Sequence, residues 1–280
     1  MIEKKSLIGH KAELEVGGLD AAGAWLGTGA ERVLLPRPEL KRPLAVGERL
    51  QVFVFRPEPG RLQARLQLPP AEVGEFAALK CRRLTREGGW FEFAPGLDLP
   101  VHATEIPFRL RTGERTLVRI GLDDQGMLCG SCRIADYLDP AQGLPSGRQV
   151  QLQVWRQTDL GTKMIIDGRY EGLLYADELP VARIGEKLVG FVTRLRADGK
   201  IDLSLNPGGK AGADIGRDRL LQALEESGFL PLHDNSSPEE IRRLLGLSKK
   251  QFKRAVGMLY KEKKIELLTK GIRLVDKSGE

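Results

Sequence analysis

Three cysteines, three histidines and a few closely spaced acids are the residues of this 280-residue chain able to carry covalent or metal chemistry. Cys129-Gly130-Ser131-Cys132 has the spacing of a redox or zinc pair. It lies in MLCGSCRI, which reads as a strand, and side chains three apart on a strand point to opposite faces. A disulfide or a shared metal needs both sulfurs on one side, and no second Cys or His pair stands at ligand spacing. Asp123-Asp124 and Asp198 with Asp202 sit in or beside predicted hairpin turns, where Asp is common for backbone reasons. His10, His102 and His233 form no spacing motif. PGGKAG at 207–212 lacks the first Gly and the Ser or Thr of a phosphate loop and reads as a linker. These residues predict neither an enzyme nor a cofactor, and the reduced cysteines suit a cytoplasmic protein.

Binding is the chemistry left, and its strongest signal is SKKQFKRAVGMLYKEKK, Ser248 to Lys264. Lys249, Lys250, Lys253, Arg254, Lys261, Lys263 and Lys264 stand there against one acid, Glu262. At helical spacing Phe252, Ala255, Val256 and Leu259 share one face, while Lys250, Arg254 and Lys261 stand together elsewhere. Ser237-Pro238-Glu239-Glu240 and Ser248-Lys249-Lys250-Gln251 are both capping boxes, and Gly246 separates the helices they open. With an earlier helix carrying Leu220, Leu221 and Leu224, and a hairpin about Thr269-Lys270-Gly271, this predicts a winged helix. The second helix of such a pair usually meets nucleic acid, although winged helices also dock proteins.

Lys and Arg number 44 against 38 Asp and Glu, a net charge of +6, which is compatible with nucleic acid without demanding it. The beginning, MIEKKSLIGHKAELEV, lacks the apolar core of a signal peptide, and no stretch approaches the roughly 18 apolar residues of a membrane span. The expected protein is cytoplasmic and has no membrane partner.

The first 207 residues repeat. Glu39-Leu40, Glu105-Ile106 and Glu178-Leu179 are each followed by a Gly-Glu, at 47–48, 113–114 and 185–186. Each Gly-Glu precedes a β-rich run, a turn and another run. About five short strands per repeat leave no room for crossover helices, so a small OB-type barrel fits, with an SH3-like barrel as competitor. The expected fold is multidomain and mainly β: three tandem five-stranded antiparallel OB-type barrels, then a small α+β winged-helix domain. The boundaries fall at 1–70 for a degenerate first barrel, 71–140, 146–207 and 214–280.

Gly172-Leu173-Leu174-Tyr175-Ala176-Asp177-Glu178-Leu179, Gly185-Glu186 and the run from Asp198 to Leu205 resemble the OB-fold domain named after the first protein of the small ribosomal subunit. That domain type binds single-stranded RNA. SKKQFKRAVGMLYKEKKI with Lys270-Gly271-Ile272-Arg273-Leu274 resembles the end of the bacterial conserved virulence factor B family, built from three such domains and a winged helix. The resemblance spans the chain in domain order. It implies RNA binding without catalysis, in post-transcriptional control and the regulation of virulence. The alternatives are a winged-helix DNA-binding transcriptional regulator and an adaptor docking a ribosome, nuclease or polymerase.

Unpaired bases need aromatic faces to stack on and cations for phosphate. The resemblance assigns the stacking position to His102 and Tyr175, and in the first repeat the slot falls on Pro36, which cannot stack in the same way. Alternation places Phe91 and Phe93 on one face of GGWFEF, opposite Trp90. Lys163 falls in a slot that is usually aromatic, and Arg194, Arg196 and Lys200 flank the last hairpin as phosphate contacts. The candidate RNA-binding set is therefore Phe91, Phe93, His102, Lys163, Tyr175, Arg194, Arg196, Lys200, Lys249, Lys250, Lys253, Arg254 and Lys261, with single-stranded RNA the preferred partner and DNA a possible one.

Overall fold

A computed structural model describes residues 7–28, 32–176, 178–179, 182–207 and 209–275. Asp177 of the GLLYADEL motif, Gly208 of the expected linker and both ends of the chain lie outside them.

The first barrel closes in the order β1-β2-β3-β5-β4, from His10–Leu19, Gly23–Leu26, Val33–Pro36, Arg49–Glu58 and Arg61–Arg65 as β1 to β5. The second repeat folds Phe76–Leu84, Gly88–Ala94, Leu97–His102, Arg115–Leu122 and Leu128–Ser131 into a five-stranded sheet, β6 to β10, ordered β10-β9-β6-β7-β8. The third closes like the first, with β11 to β15 at Gln149–Thr158, Gly161–Ile166, Tyr170–Tyr175, Lys187–Leu195 and Ile201–Ser204. One expectation needs correcting, because the closing pairs β3 with β5 and β13 with β15 are parallel. Direction alternates through every other pairing, so the third and fifth strands both run with the first, and closing the barrel between them forces a parallel pair.

The repeated motifs are what shape these barrels. Gly47, Gly113 and Gly185 have φ of 90, 93 and 82°, a region that glycine enters without strain. Their N–H groups donate to the carbonyls of Val16, Cys81 and Val154 at 2.8, 2.7 and 2.8 Å. Those three residues each stand at the bulge of their barrel's first strand. The following acid closes the turn: Glu48, Glu114 and Glu186 accept from the Ala45, Arg111 and Arg183 N–H groups at 3.3, 3.0 and 3.2 Å. The acidic-apolar pair latches the barrel's end. Glu39 and Glu178 accept from the Leu66 and Leu205 N–H groups just past the fifth strand, at 3.2 and 2.6 Å. In the second barrel the backbone carbonyl of Glu105 takes the Cys132 N–H at 2.9 Å.

Apolar clusters weld neighbouring barrels together. Phe53 and Phe55 of β4 join the core of the second barrel, and Phe53 meets Phe93 edge-on at 5.9 Å between ring centroids. Phe76 and Leu117 of the second barrel pack with Ile165 of the third. Hydrogen bonds cross both junctions, from Arg65 Nη2 to the Pro95 carbonyl at 2.6 Å and from Gln153 Nε2 to the Phe76 carbonyl at 3.1 Å.

The remaining residues form α1 at Gly209–Ser227, β16 at Phe229–Leu230, α2 at Pro238–Leu245, α3 at Lys249–Lys261, β17 at Ile265–Leu268 and β18 at Gly271–Leu274. The three strands pair in the order β16-β18-β17, with β17 and β18 as the expected hairpin. Both capping boxes are formed, and Gly246 ends α2 in the left-handed region at φ 64°. The glycine-rich stretch read as a linker to about Gly216 is already helix from Gly209. α1 packs along α3 at Gly216, where an added Cβ would make ordinary contact at 3.8 Å with the Ala255 Cβ and the Gln251 carbonyl.

The cysteines are free, with Cys81 and Cys132 buried and Cys129 half-exposed. Burial pushes the Cys132 thiol up to about 12, so it stays protonated at neutral pH and is a poor nucleophile or ligand. Among the described residues no group of three or more His, Cys, Asp or Glu is placed to hold a metal ion, and no helix is long and apolar enough to cross a membrane.

Candidate nucleic-acid interface

Strand register gives the three barrels a common coordinate system. Gly23 lies opposite Pro36, Gly88 opposite His102 and Gly161 opposite Tyr175, each at the entry of the barrel's second strand. The three glycines share φ values of 148, 150 and 147°. An added Cβ would come within 2.1, 2.1 and 2.3 Å of the carbonyl oxygens of Leu35, Val101 and Leu174. No side chain fits, so the second strand presses directly against the third where the stacking residue emerges. Sequence reading overlooked this glycine, although each copy follows the turn out of the first strand.

His102 and Tyr175 are both exposed, as their candidacy requires. His102 Nδ1 accepts from the Thr104 N–H at 3.3 Å, an assignment that leaves the proton of the neutral ring on Nε2. Tyr175, 38% exposed, has its hydroxyl tied to Arg196 and to Asp202. Arg196 also binds Asp202 through Nε at 3.0 Å and Nη2 at 2.6 Å. That carboxylate raises the guanidinium pKa further and matches its charge, so Arg196 here positions Tyr175 and offers phosphate less than its sequence position suggested. Arg194 and Lys200 remain exposed, with Lys200 at 3.5 Å from Asp198.

Two residues beyond each conserved-geometry glycine comes Trp25, Trp90 or Lys163, paired with Leu34, Pro100 and Leu173. This corrects the aromatic assignment in the second barrel. Phe91 and Phe93 are buried in the core with Phe53, and neither can stack on a base. Trp90 is the outward ring of that strand, 36% exposed, with the Arg83 guanidinium 5.3 Å from its centroid. Trp25 carries Arg32 at 4.7 Å in the same way and donates from Nε1 to Asp20 at 2.7 Å. In the third barrel Lys163 takes the slot, held by Glu171 at 2.5 Å, and an aromatic has moved to the neighbouring strand: Trp155, at the bulge of β11, has its ring centroid 5.2 Å from Lys163 Nζ.

On the winged helix, α3 buries Phe252, Ala255, Val256 and Leu259 and leaves Lys250, Lys253, Arg254 and Lys261 exposed, with Lys249 half-buried. Lys250, Arg254 and Lys261 follow one another by four and seven residues and so line one stripe. Lys253 points elsewhere, 3.6 Å from Asp234. The acid of this stretch is spent: Glu262 takes Arg217 of α1 through both oxygens at 2.7 Å, and that hydrogen bonding holds its carboxyl below the usual range.

Residues 218–274 match a family model described as a CvfB-like winged helix domain, and residues 8–67, the first barrel, match one described as an S1 domain. Neither describes an enzyme. The conserved virulence factor B proteins of Staphylococcus aureus, from strains bovine RF122 / ET3-1 and USA300 among others, are 26% identical to this chain over 290 residues. The match covers 98% of this chain and 96% of theirs. A crystal structure of a multidomain protein with nucleic acid binding domains from Streptococcus pneumoniae matches 97% of this chain and 99% of its own, at 21% identity and a TM-score of 0.42. The winged-helix match, the S1 barrel and relatives aligned from end to end agree on what this chain is similar to: the conserved virulence factor B proteins.

Proposed function

We propose that this protein binds single-stranded RNA along the outward faces of its barrels, with the winged helix adding phosphate contacts, and that it acts by binding in post-transcriptional control in the cytoplasm. The observation that carries the reading is the repeated slot: an exposed His102 or Tyr175 opposite a side-chain-free glycine, with Trp90 or Lys163 two residues further along the same strand. A face of that kind suits splayed bases, which duplex DNA does not present. The S1 and winged-helix matches support nucleic-acid binding in general. Fluorescence anisotropy of the full chain with a single RNA strand and with a DNA duplex of equal length, at one salt concentration, tests the preference. Tighter binding to the RNA is expected. Equal or tighter binding to the duplex would replace this reading with a winged-helix DNA regulator, and no binding to either would favour an adaptor.

The stacking slot makes a separate prediction. His102→Ala and Tyr175→Ala are each expected to weaken RNA binding by about 1 to 3 kcal/mol, the usual worth of one stacked base. Tyr175→Phe keeps the ring and should retain most of the affinity. Thermal melting should shift little in all three, because the rings are exposed. A large drop in Tm with normal binding by the folded fraction would make these residues structural.

A further inference from the structure

Between the second and third barrels lies a cleft of about 510 Å³, within the range of small-molecule sites. Trp155 and Ile184 line it from the third barrel and Phe108, 43% exposed, from the second. Five cations line it against two acids. Asp136 is paired with Arg133 at 2.7 Å and Lys163 with Glu171, so the cleft presents Arg109, Arg115 and Arg156 against the one carboxylate of Glu114, which accepts the Arg111 N–H at 3.0 Å. Arg156 stands 5.1 Å from the centroid of Trp155. Aromatic walls with arginines at the rim are what a base and its phosphates require together.

The cleft does not end there. Lys163 lines it and also lines a second cleft, of about 570 Å³, on the outer face of the third barrel, shared with Leu160, Arg196 and Lys200. The two adjoin at the side chain that occupies the third barrel's outward slot. Trp155 lines the first of them at the bulge of β11, where it has no partner on β12.

We propose that the cleft between the second and third barrels holds a nucleotide of a single RNA strand, its base against Trp155 and Phe108 and its phosphates on Arg109 and Arg156, and that Lys163 passes the strand on to the third barrel's outer face. This rests on the RNA-binding reading and assigns it a site outside the repeated slots. It also accounts for the third barrel's exchange of an aromatic for Lys163: the ring sits one strand away, where two barrels can share it.

The test uses the full chain with an oligouridine and a mixed-sequence RNA strand of equal length. Phe108→Ala is expected to lower affinity about fivefold or more. Arg109→Gln with Arg156→Gln should reduce the slope of log affinity against log salt by about 1.4, at roughly 0.7 per phosphate on a single strand. All three residues are exposed, so unchanged melting will show that the variants fold. If wild type binds RNA and both variants match it in affinity and slope, the cleft is not a nucleotide site and the RNA-binding reading stands. If wild type binds no single strand, both fall.

Discussion

Gly161→Ala is expected to cost the third barrel about 3 kcal/mol or more. At φ 147° an L-residue is strained, and the new Cβ would lie 2.3 Å from the Leu174 carbonyl oxygen and 2.8 Å from the Tyr175 Cα. Both obstacles are backbone of the adjacent strand, so relief requires β12 and β13 to separate where Tyr175 emerges. Gly199→Ala is the matched control. It has φ 77° and open space around it, so only the ordinary left-handed penalty of about 1 kcal/mol applies. Urea unfolding followed by circular dichroism compares the two. Equal stability of Gly161→Ala and wild type would show that the strands do not approach this closely, and the common register of the three barrels would lose its basis. Gly23 and Gly88 repeat the geometry and carry the same expectation.

The triple change Lys250→Gln, Arg254→Gln, Lys261→Gln is expected to have the largest effect on RNA binding. Each cation that meets a phosphate on a single strand contributes about 0.7 to the slope of log affinity against log salt, so three should remove about 2. Near physiological salt that is a loss on the order of tenfold or more. The stripe is presented by a rigid element: Ser248 caps α3, Phe252, Val256 and Leu259 anchor its inner face, and α1 packs along it at Gly216. The winged helix should melt as before, since exposed charges contribute little to stability. Anisotropy titrations over a range of salt concentrations, paired with thermal melts, measure both quantities. Unchanged affinity and slope would mark α3 as a solvated or protein-docking face.

Much of the architecture was legible because it is encoded over short distances. A capping box is a reciprocal pair of bonds between residues three apart, so Ser237 with Glu240 and Ser248 with Gln251 announce their helices without reference to the rest of the chain. The Gly-Glu turns and the acidic latches recur because every barrel must turn at the same place and tie down its fifth strand, so the repeat could be read before its purpose was known. Closing five alternating strands also dictates a parallel pair, a consequence of topology that local hairpin signals conceal.

Which residues face a ligand was decided by packing. Alternation put Phe91 and Phe93 opposite Trp90 and was right to do so, but the inner face was chosen by Phe53, which reaches in from the neighbouring barrel. Trp155 follows the outward alternation of β11, but only the adjoining barrel makes the cleft that it lines. Arg196 looked available until the barrel brought Asp202 and Tyr175 against it. The sequence alone therefore determined the order of the domains, their strands and turns, and the basic stripe of α3, since each rests on contacts between near neighbours in the chain. The outward faces and the cleft between barrels were decided only by the tertiary structure, because burial and charge neutralisation there depend on side chains from distant strands and from the adjoining barrel.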